Sequence, residues 1–259
     1  MLLVFDVGNS ETLIGVFEKE KLLTSWRIDT DVRKSADEYG MLINQLFAYE
    51  GIDRRRTEAL MISTVVPSLL FTLQHMAVKY FGKRALVVEA GIKTGLAIKY
   101  DDPRQVGSDQ IVNAVAAYHK YGGPLIIIDF GTATSFCAVT EKGQFLGGTI
   151  APGMKIASEA LFERTSKLPR VEIEAPGRTI GKNTAESMQS GLVYSQVGAC
   201  EYIVRRMKEE LQEASGSQEV KVVATGGMAS LIAQETDCID HVDKMLTLEG
   251  LRIIYEKNR

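Results

Sequence analysis

Cysteine is scarce: three in 259 residues, at 137, 200 and 238, odd in number, far apart and without CxxC spacing. That pattern argues against a disulfide framework or a zinc site and predicts reduced, mostly buried thiols. A basic excess is lacking too, since 30 Lys and Arg against 33 Asp and Glu leave a formal net charge of −3. Nucleic acid is therefore not expected as the main ligand. Arg54-Arg55-Arg56 is the one basic run, and it reads as a solvated loop rather than an anion patch. No apolar stretch approaches the length of a spanning helix, and Met1-Leu2-Leu3-Val4-Phe5 lacks the basic region of a signal peptide. The expectation is a cytoplasmic protein that engages no membrane. Nor is there a low-complexity linker, so any two halves are expected to pack closely, with a cleft near residues 120 to 125.

At 45% hydrophobic and 24% charged residues, the chain has the composition of an ordinary globular protein with one large domain or two mid-sized ones. Its most informative feature is a turn made twice. Phe5-Asp6-Val7-Gly8-Asn9-Ser10 and Ile128-Asp129-Phe130-Gly131-Thr132-Ala133-Thr134 each end an apolar run with an aspartate, a glycine and a hydroxyl residue, and each precedes a second apolar run. A buried strand that delivers a carboxylate and backbone amides into a glycine turn suits a metal ion and a phosphate. At the second turn, Thr132 and Thr134 alternate with Ala133, which predicts two hydroxyls beside the carboxylate.

The surrounding pattern repeats as well. Leu2 to Val7, Thr12 to Phe17 and Leu22 to Ile28 read as a three-strand meander, followed by a helix from Ser35-Ala36 to Gly51, a strand at Ala59 to Thr64, a helix from Pro67 and a strand at Ala85 to Val88. Asp109 to Tyr121 reads as a helix. After Pro124 the meander restarts at Leu125 to Asp129, Ala133 to Thr140 and Gln144 to Ile150. A long helix from Thr184 to Ala214 follows, with Met188, Leu192, Cys200, Ile203, Val204, Met207 and Leu211 in one stripe. A polar turn at Ser215-Gly216-Ser217 ends it. Val220 to Ala224 is then a strand, and a helix from Leu248 to Tyr255 closes the chain. The reading is a duplicated α/β unit divided at residues 122 and 123.

Three further segments carry chemistry. Thr225-Gly226-Gly227 joins a strand to a helix, where backbone could lie against a nucleoside or its phosphates. Gly107-Ser108-Asp109-Gln110 sets a carboxylate in the first turn of a helix, whose dipole favours the ionised form. Asp109 reads either as a helix-capping acid or as the base that phosphoryl transfer to an alcohol requires. Gly147-Gly148-Thr149-Ile150-Ala151-Pro152-Gly153 reads as a glycine-dense loop, either a pocket wall or a plain rigid turn. The two acidic turns and the Gly226-Gly227 turn together resemble the phosphate-one, phosphate-two and adenosine loops of the actin-like superfamily.

Eight motifs in order sharpen that resemblance: Asp-Val-Gly-Asn-Ser at 6 to 10, Lys-Thr-Gly-Leu-Ala-Ile-Lys-Tyr at 93 to 100, Gly-Ser-Asp-Gln at 107 to 110, Asp-Phe-Gly-Thr-Ala-Thr at 129 to 134, Gly-Gly-Thr-Ile-Ala-Pro-Gly at 147 to 153, Lys-Leu-Pro at 167 to 169, Gly-Lys-Asn-Thr at 181 to 184 and Ser-Met-Gln-Ser-Gly at 187 to 191. The chain resembles the type III pantothenate kinases. That resemblance implies a duplicated actin-like (ribonuclease H-like) fold with two mixed sheets and an interdomain cleft. It also implies ATP-dependent phosphorylation of pantothenate by a homodimer that needs Mg²⁺ and a monovalent cation, K⁺ or NH₄⁺. By position, Asp6, Val7, Gly8, Asn9, Ser10, Glu11, Thr12 and Leu13 would hold the ATP phosphates, Asp6 also facing Mg²⁺ through water. Thr132, Gly226 and Gly227 would touch ATP, and Asp129 would hold the monovalent cation. Asp109 would accept the proton, while Tyr100, Gly107, Ser108 and Gln110 would line the pantothenate pocket. Thr184 would reach the partner's site, consistent with a broad apolar helix face to bury. The plain alternatives are a half-buried surface aromatic for Tyr100 and an N-cap for Thr184.

The chain departs from the family pattern at Gln110, where arginine is usual, so a forked cation gives way to a neutral amide. Ser10 replaces a commoner threonine and keeps the hydroxyl. Gln110 motivates two other readings: a nucleotide-binding regulator with weak or no kinase activity, and a kinase acting on a related alcohol.

Overall fold

β1 (Leu2–Val7) is buried along nearly its whole length because strands flank it on both sides, β2 (Glu11–Glu18) antiparallel and β4 (Ala59–Thr64) parallel. With β3 (Lys21–Asp29) beyond β2 and β5 (Ala85–Val87) beyond β4, these form a sheet in the order β3-β2-β1-β4-β5. The computed structural model describes residues 1–215 and 219–259. The polar turn expected at Ser215-Gly216-Ser217 centres on residues outside that set.

Period-two alternation gives this sheet two different faces. Leu3, Phe5 and Val7 point into a cluster with Tyr39, Ile43 and Phe47 of α1 (Ala36–Tyr49) and Leu69, Leu73 and Met76 of α2 (Pro67–Met76). α1 starts where the sequence predicts: Ser35 accepts from the Glu38 amide and Glu38 answers to the Ser35 backbone, a complete capping box. Val4 and Asp6 face the other way, toward α7 (Leu246–Asn258), whose Leu248 lies against Gly15 and Val4.

The second sheet runs β11-β10-β7-β8-β9-β6, with β6 (Ala97–Ile98), β7 (Leu125–Phe130), β8 (Ala133–Val139), β9 (Gln144–Pro152), β10 (Lys221–Gly226) and β11 (His241–Val242). The core-facing side chains of β7, β8 and β10 pack on α4 (Met154–Arg164), α5 (Thr184–Ser215) and α6 (Ala229–Ile232). Removing β6, the order β9-β8-β7-β10-β11 reproduces β3-β2-β1-β4-β5 strand for strand, with the same parallel and antiparallel pairings. The duplication read from the meanders is thus a duplication of topology, and each acidic turn follows the first strand of its repeat.

Contacts divide the chain into a first unit of Met1–Gly95, Asp102–Ala116 and Leu246–Arg259 and a second of Leu96–Asp101 and Ala117–Met245. This differs from a division at 122 and 123 in assigning the last helix and the short β6 to the opposite repeat. The causes are local: a Thr247 to Asn113 hydrogen bond ties α7 to α3 (Ser108–Tyr121), and Ala97 and Lys99 donate to the carbonyls of Gly143 and Phe145.

Two expectations are corrected. The glycine-dense segment 147 to 153 is strand β9 up to Pro152, not a loop. Its glycines serve close approach: a Cβ at Gly148 would collide with the Phe136 carbonyl, and Gly147 takes φ +130° at a register shift. The apolar stripe of α5 is largely spent inside its own unit, with Val193, Val197, Cys200, Val204 and Leu211 buried against the sheet. α4 went unread because Met154 and Ser158 are its only buried positions.

All three cysteines are free, and burial pushes the Cys200 thiol up to about 12, which leaves it inert as a nucleophile at neutral pH. Among the described residues no helix is long and apolar enough to cross a membrane.

Candidate active site

In the first unit, β1 carries Asp6 to its C-terminal end half-buried. The turn that follows closes on itself, the Gly8 amide donating to the Glu11 carbonyl at 3.0 Å. A Cβ at Gly8 would stand 2.9 Å from that same oxygen, so glycine is required for the closure. The Gly8 amide is consequently spent on the turn, and the exposed Asn9 and Ser10 form its rim. The later part of the predicted phosphate loop is strand. Thr12 is buried with its hydroxyl 2.8 Å from that of Thr30, Glu11 pairs with Arg27 at 2.5 Å, and Leu13 is half-buried beside them.

The parallel register sets Ser63 of β4 beside Asp6, and parallel partners share a face. Ser63, fully buried, donates to Ser108 Oγ at 3.0 Å, and Ser108 donates to the Thr64 carbonyl at 3.1 Å. These bonds fasten the first turn of α3 to the end of β4. Asp6, Ser63 and Ser108 are thereby gathered in one place, with Asp109 the next residue along α3, and Ser63 is the member that the sequence alone does not single out. Inside an otherwise apolar strand, a serine opposite an acidic strand end was the available signal.

Gly107 and Ser108 belong to the start of α3 rather than to a free loop, Ile111 donating to the Gly107 carbonyl. The missing Cβ of Gly107 leaves the space that Asp109 Oδ1 fills. That oxygen accepts from the Gln110 amide at 2.8 Å. Burial nonetheless dominates and holds the Asp109 carboxyl above its ordinary value of 3.8, with the amides of Gln110 and Asp109 opposing. The amides at the helix start favour the ionised form, as position in the sequence suggests, but burial has the larger effect. It leaves a carboxylate with raised proton affinity.

In the second unit, the turn after β7 also closes through its glycine amide but is one residue shorter, the Gly131 amide donating to the Ala133 carbonyl at 3.1 Å. Gly226, at φ +92°, ends β10 opposite Phe130, and a Cβ there would stand 2.6 Å from both Asp129 Oδ1 and Phe130 O. The Gly226-Gly227 turn and the second acidic turn are thus neighbours. The helix after them, α6, has four residues, so backbone rather than a helix dipole is what this turn offers a nucleotide. Thr132 sits half-buried in the turn, while Thr134 faces away from Asp129 and is buried, its hydroxyl 3.4 Å from Gln196 Oε1 on α5. Thr134 is therefore not one of the hydroxyls beside the carboxylate; the register sets Ser135 opposite Asp129 instead.

Tyr100 lies over β9, where a Cβ at Gly147 would come within 3.2 Å of its ring, and it is 40% exposed. At the start of α5 the cap is Asn183, whose Oδ1 accepts from the Glu186 amide at 2.9 Å and whose Nδ2 donates to Glu186 at 2.8 Å. Thr184 is the first helical residue and exposed, outside the cap.

Among the described residues no group of three or more His, Cys, Asp or Glu is placed to hold a metal. The donors present are single carboxylates with backbone oxygens. Asp129 Oδ1 and Phe130 O both pack against Gly226, so this turn brings a carboxylate oxygen and a backbone oxygen close to the glycine turn. Asp6, half-buried at its strand end, offers carboxylate oxygens of the kind a divalent ion takes beside water and phosphate.

Two repeats of this topology, each ending its first strand in an acidic glycine turn, define the actin-like fold. Solved structures agree. A protein of Campylobacter jejuni described as a Baf-family transcriptional activator superposes with TM-score 0.55 at 18% identity over 99% of this chain and 98% of its own. The activator of 2-hydroxyisocaproyl-CoA dehydratase from Clostridium difficile gives 0.51 at 12% identity, over 99% and 94%. The ethanolamine utilization protein EutJ from Carboxydothermus hydrogenoformans gives 0.53 at 17%, over 97% and 89%. Within this fold the sequence is more specific: the type III pantothenate kinase profile matches residues 2–206. The chain belongs to the type III pantothenate kinase family, and it is a kinase of the actin-like class.

Proposed function

We propose that this kinase transfers the γ-phosphoryl group of ATP to the primary hydroxyl of pantothenate, giving 4′-phosphopantothenate, the first step toward coenzyme A. The observation that carries the reading is Asp109, half-buried, raised in proton affinity, and fastened by Ser108 and Ser63 beside Asp6. A carboxylate of that kind is suited to accept the hydroxyl proton as the phosphoryl group departs. The turn from Asp6 to Ser10 cradles the ATP phosphates, and Asp6 meets Mg²⁺ through water. Asp129 would hold K⁺ or NH₄⁺, Thr132 would contact ATP, and Gly226 and Gly227 would lie along the nucleoside. When bound, the cations neutralise phosphate charge.

Tyr100, Gly107, Ser108 and Gln110 line the pantothenate side, and Thr184 is supplied by a second copy of the chain. Two features support the dimer. Asn183 takes over the cap and leaves Thr184 available, and an open groove of about 290 Å³ along β9 and α5 displays Leu146 and Tyr202, both exposed. Catalysis takes place in the cytoplasm.

Gln110 favours a second reading, a nucleotide-binding regulator with little turnover, since the usual cation is absent from the pocket. ADP release measured over a panel of carboxylate-bearing alcohols, with ATP, Mg²⁺ and K⁺ present, separates the two. Stimulation by pantothenate above the rest is expected. ATP binding with no stimulated release defeats the kinase reading, and stimulation by another alcohol alone defeats its substrate. Gln110→Arg is expected to lower the pantothenate KM, since a charged hydrogen bond contributes about 1.5–3 kcal/mol, roughly ten- to a hundredfold. An unchanged KM would remove position 110 from substrate recognition.

A further inference from the structure

α7 lies beyond the residues that the family profile matches, yet it is packed on the helix that carries Asp109. Thr247 Oγ1 donates to Asn113 Oδ1 at 2.7 Å, and both side chains are buried, 8% and 2% exposed. Asn113 follows Asp109 by four residues, so the two stand on one face of α3, about 5–6 Å apart at Cβ. Three residues along α7, Gly250 admits the α3 backbone itself: a Cβ there would stand 2.8 Å from the Val112 carbonyl carbon and closer still to its oxygen. Leu248 and Leu251 anchor α7 in the unit's core, fully buried.

A hydrogen bond inside an apolar helix contact contributes little net stability but penalises any other alignment, because a slipped or rotated helix leaves both groups buried and unsatisfied. α3 is thus held from two sides of Asp109, by Ser108 on β4 at one end and by Asn113 on α7 one turn along. We infer that Thr247 and Asn113 are a positioning pair for Asp109: they fix the rotation of α3 about its axis, and with it the direction in which the carboxylate meets the acceptor hydroxyl. The inference rests on the reading of Asp109 as proton acceptor. The C-terminal helix then belongs to the catalytic apparatus without touching substrate.

The test compares full-length Thr247→Val, which removes the donor at nearly constant volume, with Thr247→Ser, which keeps it. Misplacement of a reacting group by about 1 Å can cost about a hundredfold, so kcat is expected to fall about tenfold or more in Thr247→Val with the ATP KM within about twofold. Thr247→Ser restores kcat. Carboxylate NMR is read in parallel, the Asp109 resonance being assigned by its loss in Asp109→Asn, and its titration is expected to move in Thr247→Val and return in Thr247→Ser. A lower melting temperature with unchanged kcat and unchanged Asp109 titration would show a structural bond only and overturn the inference. If the wild type shows no pantothenate-dependent turnover, the functional reading fails by itself, and the Asp109 titration alone decides: unmoved, it overturns the positioning role. Should Thr247→Val not fold, Thr247→Ala removes the donor without adding a methyl and is read the same way.

Discussion

Asp109→Asn is expected to lose about 10²–10⁴ of kcat, the usual range for a positioned acid or base, while ATP binding persists. The same substitution is expected to raise the melting temperature at neutral pH. The reasoning is a linkage argument. Burial holds the Asp109 carboxyl above its ordinary 3.8, so the folded chain binds this proton more tightly than the unfolded chain. Stability from this group is fully present below pH 3.8 and is lost as the pH rises through the raised folded value, leaving a buried carboxylate at pH 7. Asparagine removes that charge. Thermal denaturation at pH 4 and pH 7 checks the sign, since the gain over wild type should be larger at pH 7. In the wild type the acid limb of kcat should lie above the ordinary carboxylate range, and a limb at or below 3.8 would take the role from Asp109.

Gly226→Ala is the second change of large effect. A non-glycine residue at φ +92° carries backbone strain of about 1–3 kcal/mol. The new methyl would also press on Asp129 Oδ1 and Phe130 O. The turn must shift, and Asp129 with it. We expect a lower melting temperature together with weaker ATP binding and a higher K⁺ concentration for half-activation. Gly177→Ala, at a glycine with open space around its Cβ, is the matched control. Lost stability with unchanged ATP and K⁺ dependence would separate this turn from the nucleotide site.

Much of this could be read in the sequence because strands and caps are local. Leu2 to Val7, Ala59 to Thr64 and the Ser35 cap follow from alternation and from a serine three residues ahead of a glutamate. What escaped depends on register or on burial, which no local pattern encodes. Ser63 matters only because β4 aligns it with Asp6 and because Ser108 returns to it 45 residues later. The Gly147 to Gly153 segment looked like a loop because glycine lowers strand propensity, whereas here it is the absence of a Cβ that lets β9 approach the Phe136 carbonyl. The α5 stripe was legible as apolar, but periodicity cannot tell a core face from a partner face. The helix start favours the ionised form of Asp109, and burial, which no local pattern shows, opposes it with the larger effect.

The most direct measurement is the fate of pantothenate itself. Purified protein is incubated with ATP, Mg²⁺, K⁺ and pantothenate, and the acceptor is followed by mass spectrometry beside an Asp109→Asn control. Conversion to the phosphomonoester at the primary hydroxyl, matched one for one by ADP and absent from the control, is the expected result. Pantothenate recovered unchanged while ATP still binds, or equal conversion by Asp109→Asn, would contradict it.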